Sequence, residues 1–298
     1  MGRLLFIQSV DERTGCCLVY LALNGTMLAM LNDFYQNLDP VALAFGPFEV
    51  RWYGLAYVLG FICAGVLIYR AARCWKLKID PYDVLTFVCA CAIGIIVGAR
   101  IGYCVVYGNG YYFEHPLEFL AINKGGMSFH GGLVGAVVAG IIYSVVMKIP
   151  VLTMADLVGC SAPIGLFFGR CANFINGELY GAVTDAPWGV DFTGSGVMYQ
   201  PSQLYEAFLE GLVLLLVMRI LVRLKPTKPQ GFFIGVFLVL YGLFRIAIEF
   251  VRLPDSQIGY FFGTWGTMGQ ALCLPMVIFG IALIVYALKT RHEQCFRA

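Results

Sequence analysis

The chain has 298 residues, of which 60% are apolar, 15% are aromatic and only 13% are Asp, Glu, Lys or Arg. A soluble domain carries roughly 25% charged residues, so this chain has too little charge to solvate the surface of a globule. Its net charge of +2, from 20 basic and 18 acidic residues, identifies no partner by itself. The composition excludes a disordered chain, a collagen-like repeat and a soluble nucleic-acid-binding protein, and it leaves a polytopic helical membrane protein.

The N-terminal residues differ from the rest and are treated as a separate segment. We interpret residues 1–37 as a leader to which no role is assigned, and residues 38–298 as a single transmembrane domain. The apolar stretch Cys16–Leu31 is short and interrupted, and it has neither the basic start nor the small-residue cleavage site of a signal peptide. Two alternatives stay open: an eighth span, or a misassigned start with Met27 or Met30 as the first residue.

Seven further stretches are long and apolar enough to cross a bilayer, which takes about 20 mostly apolar residues. In chain order they are Trp52–Tyr69, Val84–Tyr107, Gly131–Met147, Met154–Phe174, Leu204–Val222, Gly231–Val251 and Met268–Leu288. Asp80, directly before Pro81, is the predicted N-cap of the second helix. The sequence therefore predicts an all-α fold with seven transmembrane helices.

The positive charges predict the orientation of these helices. Four Lys or Arg follow the first span, one follows the third, four follow the fifth and three lie in the tail, twelve in all against five on the other side. By the positive-inside rule, the C-terminus is cytoplasmic and the first span starts at the periplasmic surface. A small head, Gly177–Gln200 between the fourth and fifth spans, is then periplasmic.

Arginines inside predicted spans are the first indication of function, because intramembrane charges are rare and usually face a polar interior. In the predicted orientation, Arg170 and Arg245 lie within two turns of the outer surface. Arg100 lies slightly deeper on the same side, and His130 and Tyr53 lie at the outer ends of their helices. Structural alternatives stay open: Arg100 can snorkel to the interface, and a lone His is more often a satisfied structural residue.

Two polar segments surround these residues. Tyr241, Arg245 and Glu249 are spaced four residues apart and share one helix face, either in a site or as structural pairing. The segment Gly169–Gly181 holds an Arg, two Asn and a Glu at the end of a span, which is too polar for simple packing. Two guanidiniums at headgroup depth match a lipid phosphate, and a neutral His can accept a proton near pH 7. The residues thus suggest group transfer from a phospholipid, although the phosphate could be only bound.

The chain resembles the bacterial prolipoprotein diacylglyceryl transferases. Residues Gly169–Gly181 match that family's motif, G-R-x-[GA]-N-F-x-N-x-E-x-x-G, at every specified position. Further blocks that agree are Trp52–Leu55, Gly98–Tyr103, Gly125–Gly132, Pro201–Glu206, Tyr241–Phe250 and Met268–Gln270. The resemblance extends over roughly residues 38–288.

The resemblance implies a seven-span inner-membrane enzyme that moves the diacylglyceryl group of phosphatidylglycerol onto the thiol of a prolipoprotein lipobox cysteine and releases glycerol phosphate. It implies no cofactor, no metal and no nucleic-acid partner. The residues that it implies are His130, Arg170, Arg245 and Tyr241 as catalytic, and Tyr53, Arg100, Asn173, Glu178, Gly181 and Glu249 as substrate-binding. We expect His130 to accept the thiol proton, Arg170 and Arg245 to stabilise the departing phosphate, Tyr241 to orient the leaving oxygen or Arg245, and Glu178 and Glu249 to fix the arginines.

The sequence departs from the family at one position that matters. Many members have His before Pro-Ser-Gln-Leu-Tyr, where this chain has Gln200, so that His is not a required base here. Three other functions fit the sequence less well. A retinal pump needs a Lys in its last span, and Met268–Leu288 contains none. A rhomboid-like protease needs a nucleophilic Ser inside a span, whereas Gly194-Ser195-Gly196 lies in the predicted head. A lipid or anion transporter explains buried arginines but not their confinement to one interface, and no inverted repeat is evident.

Overall fold

The computed structural model describes residues 30–46, 48–108, 110–121, 125–224, 227–252 and 267–296. Residues 30–36 are helical and precede a small antiparallel hairpin in which β1 (Val41–Phe45) pairs with β2 (Phe48–Arg51). Of the predicted leader, residues 1–29 and with them nearly all of the possible eighth span lie outside these ranges.

Most of the rest of the described chain is helical, except for residues 176–201, which form turns and isolated bridges. Ten α-helices follow the hairpin: α1 (Trp52–Cys74), α2 (Pro81–Val106), α3 (Tyr111–Glu114), α4 (Phe129–Val146), α5 (Val151–Gly159), α6 (Ala162–Ile175), α7 (Ser202–Glu206), α8 (Leu214–Arg223), α9 (Phe232–Ile248) and α10 (Met268–Thr290). A 3-10 turn (Pro116–Leu120) follows α3, and a π-helical segment (Ala207–Val213) joins α7 to α8 without a break. The predicted class, a helical membrane protein, is confirmed.

Four helices, α1, α2, α4 and α10, are each long and apolar enough to cross a membrane, and α5 with α6 forms a bent pair that meets the same test. The helix α9 is apolar but shorter. Asp80 caps α2 as predicted: its side chain accepts from the Tyr82 N–H at 2.8 Å, and the Asp83 carboxylate accepts from the Asp80 N–H. The first span continues past its predicted end at Tyr69 because a helix need not stop where its apolar stripe stops.

The predicted fourth span is broken near Cys160. The helices α5 and α6 meet at 44°, and Pro163, in the first turn of α6, cannot donate the backbone hydrogen bond that a straight helix needs there. Apolar periodicity does not register such a break, so the sequence predicts a single span over Met154–Phe174. The bend directs α6, and Arg170 on it, toward the π-helical segment between α7 and α8.

The hydrophobic core lies at the end of the bundle where α1 ends and α2 begins. Trp75 stacks on Phe233 with a centroid distance of 4.6 Å, and fully buried Leu157, Leu214 and Met218 pack in the same cluster. This end is therefore the rigid part of the molecule.

A buried carboxylate ties the C-terminal tail to this core. Asp156, fully buried on α5, accepts hydrogen bonds from the N–H groups of Gly231 and Ile234, both at 2.8 Å, and so caps α9 from a neighbouring helix. The side chain of Gln294 donates a third bond at 2.6 Å, and Phe296 is buried in the same cluster. The last described residues are therefore part of the bundle.

Glycines allow α2 and α4 to cross at very short range. A Cβ built on Gly98 would lie 2.7 Å from the Cα of Gly135, and one on Gly102 would lie 2.8 Å from the Cα of Gly131. Such distances are sterically impossible for any larger residue, so the two helices pack backbone against backbone. This contact fixes the position of the α4 N-terminus along α2, and His130 lies at that N-terminus.

Candidate active site

Three arginines from separate parts of the chain converge on one carboxylate at the end of α7. Arg170 on α6 places Nε 2.6 Å from Oε2 of Glu206, and Arg252 places Nη1 2.8 Å from Oε1. Arg245 on α9 donates to the same Oε1 through Nη1. We call these three arginines, with Glu206, Glu210 and Glu249, the arginine cluster.

Two further carboxylates complete the arginine cluster. Glu249, one turn beyond Arg245, lies 3.2 Å from its Nη2. Glu210 lies one turn beyond Glu206, and its oxygens approach Arg170 Nη2 at 3.8 Å and Arg245 Nη1 at 4.0 Å. Three guanidiniums thus face three carboxylates, so the arginine cluster has no net charge when all six groups are ionised.

The burial of the arginine cluster is asymmetric. The side chains of Glu206 and Glu210 are completely buried, whereas those of Arg170, Arg245 and Arg252 are 17%, 13% and 10% exposed. The carboxylates therefore lie behind and the guanidiniums in front. A ligand that reaches the arginine cluster from outside meets positive groups first.

The π-helical segment Ala207–Val213 carries part of the arginine cluster. It begins directly after Glu206 and contains Glu210. Within the described ranges, neither oxygen of Glu210 accepts a hydrogen bond, although both are buried. Single π-helical turns are rare and often occur at functional sites, and an unsatisfied buried carboxylate is costly, so both features fit a functional role better than a packing role.

Tyr241 and Gly269 border the arginine cluster. Tyr241, one turn before Arg245, stacks on Phe237 with a centroid distance of 5.8 Å, and its charged neighbours are Glu210, Arg170 and Arg245. Its hydroxyl makes no hydrogen bond to any residue that the structure describes, so it is available to a ligand. Gly269, at the start of α10, lets Glu249 approach: a Cβ there would lie 2.6 Å from a carboxylate oxygen of Glu249.

The motif segment forms a compact loop beside the arginine cluster. The Glu178 carboxylate accepts from the side-chain amides of Asn173 at 3.5 Å and Asn176 at 3.2 Å, and its backbone carbonyl accepts from Gln203 at 2.7 Å. Gly181 forms a bridge with Arg252, and a Cβ on it would lie 2.8 Å from Cβ of Gln200. The loop therefore needs Gly at position 181 and fixes Arg252.

Tyr53, at the start of α1, lies within electrostatic range of Glu178 and Arg170, and its hydroxyl is 3.2 Å from that of Tyr57. The predicted pairing of Glu178 with an arginine does not occur among the described contacts, where its carboxylate is held by the two Asn amides. Glu249 does fix Arg245, as the sequence analysis expects.

Gln200 occupies the position of the family histidine in a hydrogen-bonded group of head residues. Its side-chain oxygen accepts from the Tyr205 hydroxyl at 2.6 Å, and its amide donates to the Thr184 hydroxyl at 2.7 Å. Trp188 donates to Tyr205 at 2.6 Å. The Gln200 amide thus makes both hydrogen bonds, and unlike a His side chain it has no ionisable group.

His130 and Arg100 lie apart from the arginine cluster. His130, in the first turn of α4, is exposed and lines an apolar groove of about 1020 Å³ between α2 and α4. Arg100 is buried, and its guanidinium donates to the carbonyls of Phe119, Gly125, Gly126 and Glu118, in each case within 3.1 Å. Arg100 thus holds the glycine turn that leads into His130.

Three members of the arginine cluster were missing from the residues selected by sequence: Glu206, Glu210 and Arg252. Glu206 and Glu210 stand four residues apart inside an apolar stretch, and intramembrane acids are uncommon enough to have indicated a site. Arg252 was counted as a loop charge because it follows the last apolar residue of its span. Across the described ranges, no group of three His, Cys, Asp or Glu has the arrangement of a metal site.

Comparison with known proteins gives one consistent result. Residues 40–286 match the family model described as prolipoprotein diacylglyceryl transferase. A protein of Geobacter sulfurreducens named phosphatidylglycerol–prolipoprotein diacylglyceryl transferase is 46% identical over 252 residues, which cover 84% of this chain and 96% of its own length. Proteins of the same name from Methylococcus capsulatus and Allorhizobium ampelinum are each 46% identical, over 86% and 87% of this chain and 98% and 93% of their own lengths.

Proposed function

The chain belongs to the prolipoprotein diacylglyceryl transferase family, and we propose that it catalyses the reaction for which its relatives are named. In this reaction the diacylglyceryl group of phosphatidylglycerol moves to a prolipoprotein. The acceptor is the thiol of the lipobox cysteine, at the end of the signal peptide. The products are a thioether-linked lipid and glycerol phosphate.

The observation that carries the proposal is the arginine cluster. Three guanidiniums on the accessible side of buried carboxylates form a site for an anion with several oxygens, and the planar fork of Arg suits a phosphate. The lipid phosphate would take over donors that Glu206 holds in the free enzyme. When its six groups are ionised, the arginine cluster has no net charge, so a bound phosphate would make it negative. The phosphate is therefore expected to replace a carboxylate as the partner of the guanidiniums and not to bind beside all three carboxylates.

The chemical step follows from this binding mode. The thiolate sulfur forms a bond to the glycerol carbon that carries the phosphate ester, and the bond between that carbon and its ester oxygen breaks. The electron pair leaves with the phosphate, whose charge grows from that of a diester toward that of a monoester. Arg170 and Arg245 would gain most in the transition state, and the hydroxyl of Tyr241 can orient the leaving oxygen.

The thiol proton requires an acceptor, because a thiol of pKa about 8.5 is mostly protonated at neutral pH. We assign this role to His130, whose exposure makes it accessible to an incoming peptide. Gln200 cannot serve, since an amide does not accept a proton at neutral pH. Arg100 would act through the glycine turn that presents His130, and Asn173, Glu178, Gly181 and Tyr53 through the loop beside the phosphate.

The proposed topology has seven spans in the bacterial inner membrane. The four long helices, the bent pair α5–α6, the continuous helix over residues 202–223 and α9 supply seven crossings. With 17 residues, α9 would reach about 26 Å, close to the thickness of the hydrocarbon core. The positive-inside count would put the C-terminus in the cytoplasm and the head in the periplasm, where lipobox segments emerge.

A transfer assay with purified protein tests the function. The protein in detergent or vesicles receives isotope-labelled phosphatidylglycerol and a lipobox peptide, and mass spectrometry follows the peptide. We expect a mass gain equal to one diacylglyceryl group and release of glycerol phosphate. A matched peptide with Ser in place of the lipobox Cys serves as the control. Absence of product from the Cys peptide, with protein that binds the lipid, would contradict the proposal.

A further inference from the structure

We propose that residues 30–38, named here the N-terminal strap, position the motif loop Asn173–Gly181 for catalysis. The inference rests on the proposed function and adds a positioning element that, except for Leu38, lies in the predicted leader. The N-terminal strap precedes the matched family region, which starts at residue 40. Its contacts are with the loop and head, not with the arginine cluster itself.

Two side-chain amides of the N-terminal strap hold one head residue by its backbone. Asn32 Oδ1 accepts from the Asp191 N–H at 3.0 Å, and Gln36 Nε2 donates to the Asp191 carbonyl at 2.7 Å. Asn32 and Gln36 are one helical turn apart, so they reach the donor and the acceptor of the same residue. This paired contact resembles a strand pairing made by side chains, and it fixes the register between the N-terminal strap and the head.

An aromatic contact links the N-terminal strap to the motif loop. The Tyr35 ring lies edge-on to Phe174 at 5.5 Å and to Phe192 at 4.8 Å between centroids. Phe174 is a buried residue of the motif, and Phe192 follows Asp191 in the head. Tyr35 Oη lies so close to Gly177 that a Cβ there would overlap it. Tyr35 therefore fills the space beneath the turn that presents Glu178.

The other end of the N-terminal strap leads to Tyr53. Leu38 N–H donates to the Tyr35 carbonyl at 2.9 Å, and the Pro40 carbonyl accepts from Trp52 N–H at 3.1 Å. The chain thus runs from the Tyr35 contact through one turn and the β1–β2 hairpin, which the Pro40–Trp52 bond closes, to the start of α1. The N-terminal strap ties the two proposed lipid-binding elements, the motif loop and Tyr53, to each other.

Loss of the contact between Tyr35 and the motif loop should lower the rate of transfer without changing the charge of the arginine cluster. Loss of Tyr35 leaves a gap under the loop and lets Asn173 and Glu178 shift, while the ion pairs of Arg245 with Glu206 and Glu249, which the loop does not make, stay in place. A displacement of about 1 Å in a positioning group can cost about 10²-fold in rate. We therefore expect a fall in kcat, with a much smaller change in the KM for phosphatidylglycerol.

The test compares full-length variants with two truncations in the transfer assay. Tyr35→Ala should lower kcat by about 10-fold to 10²-fold, whereas Tyr35→Phe, which keeps the ring, should restore most of it. Phe34→Ala is the matched control, because Phe34 is 59% exposed on the neighbouring position and should leave kcat unchanged. Deletion of residues 1–29 should keep activity within about twofold, and deletion of residues 1–37 should match or exceed the Tyr35→Ala loss.

Hydrogen exchange gives a readout that does not depend on activity. Amides of residues 173–181 should exchange faster in Tyr35→Ala than in the wild type, and at the wild-type rate in Phe34→Ala. Unchanged hydrogen exchange of these amides in Tyr35→Ala, or an unchanged kcat, would overturn the inference. A Tyr35→Ala protein that accumulates to a lower level in the membrane but has a normal kcat per inserted molecule would overturn it as well. If the wild type makes no thioether product, the proposed function fails, while the exchange experiment still decides the N-terminal strap.

Discussion

Replacing Arg170 by Ala gives the sharpest test of the phosphate role of the arginine cluster. The variant removes one guanidinium of three but leaves Glu206 with Arg245 and Arg252, the latter at 2.8 Å. Glu206 therefore keeps cationic partners, and the bundle core at the opposite end is untouched. We expect the protein to accumulate and insert, so that activity reports chemistry and not folding.

The expected loss follows from the charge that develops on the phosphate. At about 4 Å and an effective dielectric constant of about 20, two unit charges interact by about 4 kcal/mol. The leaving group gains up to one unit of charge, so half to full development in the transition state corresponds to about 2 to 4 kcal/mol. Since 1.36 kcal/mol is tenfold in rate, kcat should fall by about 30-fold to 10³-fold.

The assay measures kcat with labelled phosphatidylglycerol and a lipobox peptide, and lipid binding separately. Arg170→Lys should recover only part of the rate, because an ammonium lacks the planar fork. Arg51→Ala is the control: Arg51 has a 64% exposed side chain and pairs with Glu49 at the surface. Normal kcat for Arg170→Ala in well-inserted protein would refute the phosphate role of this residue.

Four further outcomes are expected. His130→Gln should bind lipid but transfer about 10² to 10⁴-fold more slowly, with part of the rate restored as pH rises toward the thiol pKa; near-normal rate at pH 7 would remove it as the base. Gly135→Val should force α2 and α4 apart and reduce the amount of folded protein in a melting assay, whereas Gly54→Ala, which meets no atom within 4 Å, should not. Hydrogen bonds from the N–H of Gly196 and from Thr193 hold the pKa of Asp191 below its usual value. They therefore stabilise the head at pH above the unfolded-state pKa of about 4, and this stabilisation is lost as the pH falls through the folded-state pKa. Hydrogen exchange of head amides should become faster in that pH range, and Asp191→Asn should not show this change. A reporter active only in the periplasm should be silent when fused after Ala298, and strong activity would contradict the proposed topology.

Much of the fold could be predicted because apolar length and helix caps are local properties. The start of α2 at the Asp80 cap and the start of α10 at Met268 agree with the sequence prediction. The bend between α5 and α6 was missed, since periodicity counts apolar residues and ignores a missing donor at Pro163. The π-helical segment was also missed, because the extra residue per turn depends on packing against α6, where Gly211 lies against Phe167.

The candidate site could be predicted only in part. Arg170, Arg245 and Tyr241 were selected for their polarity at similar depth, and the structure brings them together. Glu206 stands out in the sequence as an acid within an apolar stretch, but its pairing with Arg170 and Arg245 depends on helix rotation, which no local pattern gives. Arg100 was selected for the same reason as Arg170, yet its charge is met by backbone carbonyls of a loop whose path the sequence does not specify.

The order of synthesis determines when the hydrogen bonds to Asp156 can form. Asp156 leaves the ribosome 75 residues before Gly231 and 138 residues before Gln294, the nearest and the most distant of its donors along the chain. At about 5 to 20 residues per second, the last of these bonds must wait about 7 to 28 s. During that interval the Asp156 carboxylate lacks its full set of donors. The bundle therefore closes late, when Gln294 completes the hydrogen bonds of a carboxylate made 138 residues earlier.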